Sequence, residues 1–188
     1  MKNFDNDIEQ SLAALHAGGT ILYPTDTIWG LGCDATNTAA VEKIIQLKQR
    51  PIHKSFVVLV ASEKEILQYI SAVDLAVFEF LDKQTKPTTV IYQGAIGLAD
   101  NVLAADGSVA IRICKNDFCR MLIKRFRKPI VSTSANISNE SSPQLFPEIN
   151  AIIKNGVNYV VEHRQKETIA GTASSIIKWQ NGFVQVLR

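Results

Sequence analysis

The sequence predicts an α/β (α+β) chain built on a mixed sheet, and three observations carry that prediction. Short β-branched and apolar runs at 20–23, 56–60, 88–92, 109–113 and 129–132 are interspersed with segments of helical periodicity. A helix does not follow every one of those runs, so a strictly parallel sheet fits poorly. Near the end, runs at 174–179 and 183–187 flank Asn181-Gly182, a two-residue turn signal that joins antiparallel strands. The 188 residues are 46% hydrophobic and 20% charged, enough for a core and the size of one domain spanning 1–188.

Taken in order, Ile8, Leu12 and Leu15 recur at helical spacing, and Gly18-Gly19 supplies a stop. The strand at 20–23 runs into Pro24. Val41, Ile44, Ile45 and Leu47 mark a helix over 38–49. The unbroken apolar run 56–60 reads as a central strand. Ser62 and Glu65 predict a capping box for a helix through Ile70, and Asp74 opens another toward Lys83. After strands at 88–92 and 109–113, residues 117–126 read as a helix. The strand from Pro129 opens into a polar loop, and Pro147 begins a helix that stops at Asn155-Gly156.

Composition excludes several classes. Twenty basic against eighteen acidic residues leave +2, so the chain is no overall polycation. Nothing approaches the roughly 20 apolar residues of a bilayer span, and MKNFDNDIEQ lacks the apolar run of a signal peptide. A cytoplasmic protein without membrane contact is expected. Cys33, Cys114 and Cys119 have no CxxC spacing, so reduced thiols are expected rather than a metal site or disulfides. There is no GxxxxGK[ST], WGLG lacks the third glycine of a dinucleotide fingerprint, and His16, His53 and His163 nominate no triad.

Three polar loops remain. In YPTDTIWGLGCDA (23–35), Thr25, Asp26 and Thr27 offer hydroxyls and a carboxylate, while Gly30 and Gly32 permit close backbone approach. In KQRPIHKSF (48–56), Lys48, Arg50 and Lys54 surround the helix-ending Pro51 with no acid near in sequence. Each cation about 5 Å from a phosphate contributes roughly 3 kcal/mol at an effective dielectric of ~20. In STSANISNESSP (132–143), serines and asparagines form a dense array of neutral donors. Each loop has a plainer reading: a tight turn, a helix end complementing its dipole, and ordinary turn chemistry.

The order YPTDTxWGLGCDA, then KxRP with a lysine four residues after the arginine, then VAIRI, then STSAN, resembles the YrdC-like family, from about residue 20 to 188. The resemblance is to its short, single-domain members, L-threonylcarbamoyladenylate synthases. It implies a twisted, mixed, largely antiparallel sheet with flanking helices around a central, positively lined cavity. The implied reaction joins L-threonine, bicarbonate and ATP into threonylcarbamoyl-AMP and pyrophosphate. A transferase complex then modifies tRNAs reading codons that begin with A. Magnesium is expected with the ATP, and no tightly bound cofactor.

By that resemblance, Lys48, Arg50, Ser134 and Asn136 form the KxR and SxN signature and are the catalytic candidates. Arg50, Lys54 and Ser134, with Ser108, Ser142 and Arg188, match nucleotide contacts. Thr27, Leu59, Arg112, Ser132 and Ser174 match positions around threonine, with Arg112 facing its carboxylate. Ser55-Phe56, Lys86-Pro87, Cys114 and Asn139 depart from the family pattern. Asparagine tolerates the left-handed backbone that a glycine at 139 would supply.

Two rivals use the same residues differently. Residues 112–128 carry seven cations against Asp117 alone, a local +6 that leaves −4 for the rest. Such a run could let a tRNA- or double-stranded-RNA-binding or ribosome-assembly protein track a phosphate backbone in the same basic cavity, although a solvated helix face is the plainer reading. The other rival is a weakly active paralogue, or one with different carbamoyl chemistry.

Overall fold

The computed structural model describes residues 4–51, 56–180 and 182–188. Its helices are α1 (Asp5–His16), α2 (Thr38–Lys48), α3 (Glu63–Tyr69), α4 (Ala76–Asp82), α5 (Asp117–Phe126) and α6 (Ala151–Asn155). Its strands are β1 (Ile21–Tyr23), β2 (Gly30–Gly32), β3 (Val57–Val60), β4 (Thr88–Tyr92) and β5 (Val109–Ile113), then β6 (Ile130–Ser134), β7 (Tyr159–Val160), β8 (Ser175–Gln180) and β9 (Phe183–Val186). They form one sheet in the order β7-β1-β2-β6-β3-β5-β4-β8-β9. Only β1–β7, β3–β5 and β4–β8 pair in parallel, so the sheet is mixed and mostly antiparallel, as predicted.

Strand alternation sorts the central residues onto two faces. One register row runs Ser132, Val57, Ala110, Ile91, and the next pairs Leu59 with Arg112. This face carries the polar residues. The intervening Val58, Val60, Val90, Ile111 and Val131 are buried in the hydrophobic core. On α5, Phe118, Leu122, Ile123 and Phe126 are buried, while Arg120, Lys124 and Arg125, with Arg127 just past the helix end, stand in solvent. The basic run is therefore mainly the outer face of an amphipathic helix, and of its seven cations only Arg112 lines the large polar cavity.

Several local expectations change. WGLG, read as loop, is strand β2: a Cβ on Gly32 would come within 2.6 Å of the Tyr23 ring and 2.8 Å of the Val131 carbonyl, which explains the glycine. The capping box does not form: Glu65 accepts the amide of Ala61, one residue before the cap, at 2.7 Å, and the Ser62 side chain caps nothing. The helix expected from Pro147 is broken into a 3-10 turn, Phe146–Glu148, and α6, whose Asn150 cap accepts the Ile152 amide. The hairpin forms as predicted, with Gln180 opposite Phe183 and Gly182 at φ 79°. Asn139 takes φ 72°, the conformation a glycine would otherwise supply. Cys33, Cys114 and Cys119 are all buried and unbridged. Among the described residues no helix is long and apolar enough to cross a membrane.

The end of α2 sets the directions of Lys48 and Arg50. Asn37 caps the start of the helix by accepting the Ala40 amide, worth about 1 kcal/mol. Its end reverses through Gln49, a non-glycine residue at φ 50°. Gln49→Gly is expected to stabilise the protein by about 0.5–1 kcal/mol by relieving that left-handed strain. Urea denaturation checks this, and an unchanged midpoint would refute it.

Candidate active site

The polar face of the sheet floors a cavity of about 520 Å³. Ser132, Ser134, Val57, Ala110 and Arg112 rise from β6, β3 and β5, and Gly30 lies beside Ser132. Thr27 and residues 171–174 form a facing wall. Gly171 packs so tightly on the Thr27 carbonyl that no side chain fits there. Arg50, Arg112 and Arg188 all line the cavity, and no Asp or Glu side chain does among the described residues. The interior is therefore cationic and rich in neutral hydroxyls. A second cavity of about 370 Å³, reached by Thr88 and Ile113 on the other face, carries none of the candidate site residues.

The KxR and SxN residues divide into two roles. Arg50 is half-buried, stacks 4.6 Å over the Phe56 ring and lines the cavity, where burial lowers its pKa. Ser134 lines it too. Lys48 and Asn136 do not: Lys48 is 1% exposed. Its ammonium donates to the backbone carbonyls of Ser134 and Asn136, both at 2.5 Å, and lies 3.3 Å from Asn136 Oδ1. Asn136 in turn accepts from Ser134 Oγ at 2.5 Å and donates to the carbonyls of Ile137 and Glu140. The Lys48 carbonyl takes the Ser138 amide at 2.8 Å. Lys48 thus pins the 134–140 loop from behind, while Arg50, past the Gln49 reversal, faces the cavity.

The residues matched to threonine contacts converge on one end. Arg112, 4% exposed, donates to Thr27 Oγ1 at 3.3 Å and lies 3.0 Å from Asp26. Its Nε is buried with no hydrogen-bond partner among the described residues. Thr27 is itself held by Thr25, whose hydroxyl accepts the Thr27 amide and donates to the Ile28 carbonyl. Ser174 shares a 2.9 Å hydrogen bond with Thr89, and its carbonyl accepts both Nε and Nη2 of Arg188. Ser142 sits exposed at the rim.

Two expected contacts lie elsewhere. Ser108 turns into its own loop, donating to Asp106 at 2.6 Å, and does not line the cavity. Leu59 is wholly buried beside Arg112, a packing residue under the guanidinium. Lys54 lies outside the described residues. Sequence reasoning missed Trp29, Gln144 and the 171–173 wall. The one available signal for that wall was the run of small residues Gly171-Thr172-Ala173 before the hairpin.

Comparisons with known proteins agree with this fold. The Sua5/YciO/YrdC family model, described as "Telomere recombination", matches residues 13–188. A threonylcarbamoyl-AMP synthase from Vibrio campbellii is 35% identical over 144 residues, covering 74% of this chain and 75% of that protein. One from Psychromonas ingrahamii is 32% identical over 166 residues, covering 84% and 85%. Among solved structures, P. abyssi Sua5 complexed with L-threonine superposes with a TM-score of 0.85 at 20% identity, over 96% of this chain and 53% of that one. E. coli YciO gives 0.82 at 20% identity, over 97% and 88%. With the family matched across nearly the whole chain, and the fold shared, this protein belongs to the Sua5/YciO/YrdC family.

Proposed function

We propose that the protein is a threonylcarbamoyl-AMP synthase, the first step of threonylcarbamoyladenosine modification of tRNA. One observation carries the reading: three arginines and a bank of hydroxyls surround a single cavity that no Asp or Glu side chain lines among the described residues. Two anionic substrates, a nucleoside triphosphate and an amino-acid carboxylate, need that chemistry together. Arg112 and Thr27 would take the threonine carboxylate, with Ser132 and Ser174 completing that end. Arg50 and Ser134 would take the phosphates, with Ser142 and Arg188 contributing at the rim and Lys54 a further cation by the family resemblance.

The reaction then runs by positioning and electrostatics. The threonine amine and bicarbonate give a carbamate and water. A carbamate oxygen attacks the α-phosphorus, the bond to the bridging oxygen breaks, and pyrophosphate leaves. Arg50 stabilises charge developing on that leaving group. The enclosing walls shield the carbamate from water. Magnesium would arrive on the ATP phosphates as part of the substrate, since the cavity offers hydroxyls and cations rather than a carboxylate cage. The product would pass to a threonylcarbamoyl transferase complex for transfer to tRNA.

Pyrophosphate release from ATP and bicarbonate, followed with and without L-threonine, tests this. Threonine-dependent release is expected. Release that ignores threonine would sink the synthase reading.

A further inference from the structure

Arg112 carries its counter-ion inside the protein. Asp26 Oδ1 lies 3.0 Å from Arg112 Nη2, with only 9% and 4% of the two side chains exposed. The contact is ionic rather than directed, because Oδ1 has no hydrogen-bond partner among the described residues. The other oxygen, Oδ2, accepts the backbone amide of Lys115 at 3.3 Å, so the loop after β5 helps to anchor the carboxylate. Arg112 and Thr27 line the cavity while Asp26 does not. The guanidinium therefore has one edge against a buried carboxylate and its unpartnered Nε free for another acceptor.

A guanidinium this deeply buried is costly without an opposite charge. Asp26 supplies it in the free protein. When a substrate carboxylate reaches the same guanidinium, two like charges share one cation. At a separation of about 6 Å and an effective dielectric of about 20, their repulsion weakens binding by on the order of 100-fold before screening. Solvent in the open cavity raises the effective dielectric toward about 40, which leaves a penalty of roughly tenfold.

We propose that Asp26 is a built-in counter-ion that stabilises Arg112 without substrate and sets a deliberately moderate affinity for the threonine carboxylate. This rests on the reading that Arg112 holds that carboxylate. Asp26 acts through Arg112, so it is a positioning and affinity-setting residue and touches no reacting atom.

The test is Asp26→Asn, which keeps the shape and removes the charge. The threonine KM is expected to fall roughly tenfold, with the ATP KM unchanged. The ligand-free protein melts at a lower temperature, and threonine raises that temperature more than in wild type. Threoninol, which lacks the carboxylate, gains no affinity. A folded variant whose threonine KM is unchanged or higher overturns the proposal, as does one in which both KM values rise together. Should the variant be unfolded without ligand, added threonine is expected to restore a cooperative melt, and failure to do so also overturns it. A wild type without threonine-dependent turnover, or an Arg112→Lys variant with an unaltered threonine KM, refutes the underlying assignment of Arg112 and takes this inference with it.

Discussion

Lys48→Met is expected to lose roughly 3 kcal/mol of stability and about 100-fold in kcat/KM for ATP, although the side chain touches no part of the cavity. Methionine fills most of the space of the lysine stem but leaves the carbonyls of Ser134 and Asn136 without their buried donor. The 134–140 loop then loses its anchor to α2, and Ser134 with it. Displacing a positioned group by about 1 Å costs on the order of 100-fold, which sets the expected loss. Urea denaturation and pyrophosphate release measure the two effects. A variant as stable as wild type, with its loss confined to kcat, would mean that Lys48 meets substrate directly.

The same residue gives stability a pH dependence. Burial, and then the charge of Arg50, draw the Lys48 pKa down to about 7. The three acceptor oxygens pull the other way, favouring the ammonium. In the unfolded chain a lysine holds its proton to about pH 10.4. Between about pH 7 and pH 10 the unfolded state therefore binds more protons, and this contribution to stability rises with pH. The methionine variant should lack that rise.

Arg112→Lys is expected to raise the threonine KM by roughly 30- to 100-fold while leaving the ATP KM within about twofold. Lysine keeps the charge beside Asp26, so the fold is preserved. It replaces a planar fork, with its unpartnered Nε, by a single point donor. Steady-state kinetics with each substrate varied separately decide the matter. Equal increases in both constants would point to damage in the loops, and an unaltered threonine constant would place the carboxylate elsewhere.

Much of the architecture was legible because it is local. The apolar run at 56–60 reads as a buried strand, and Asn181-Gly182 signals a hairpin of about the length seen. Elements whose signal is a long-range fit were missed. β2 is three residues with two glycines, and it is a strand because Tyr23 and Val131 approach too closely for side chains. β7 is two residues long and exists by pairing with β1. The broken helix at 146–155 shows a local pattern overridden by Asn150, which caps a fresh helix rather than continuing the old one.

The candidate site divides along the same line. The family resemblance picked out Lys48, Arg50, Ser134 and Asn136 as one signature, and matched Thr27, Arg112, Ser132 and Ser174 to positions around threonine. Only the folded chain separates Arg50 and Ser134, which face the cavity, from Lys48 and Asn136, which hold the loop behind it. Residue type cannot make that distinction, because a lysine donates equally well to a phosphate or to a buried carbonyl. Its direction follows from the Gln49 reversal and from the strand β6 opposite. Nor could spacing reveal that Asp26 sits against Arg112, 86 positions away. By itself the sequence determined the chemistry present: cations, hydroxyls, and strands of period two to carry them. Tertiary structure decided which of those groups meet a substrate and which neutralise or pin one another, because that depends on distances between segments remote in the chain.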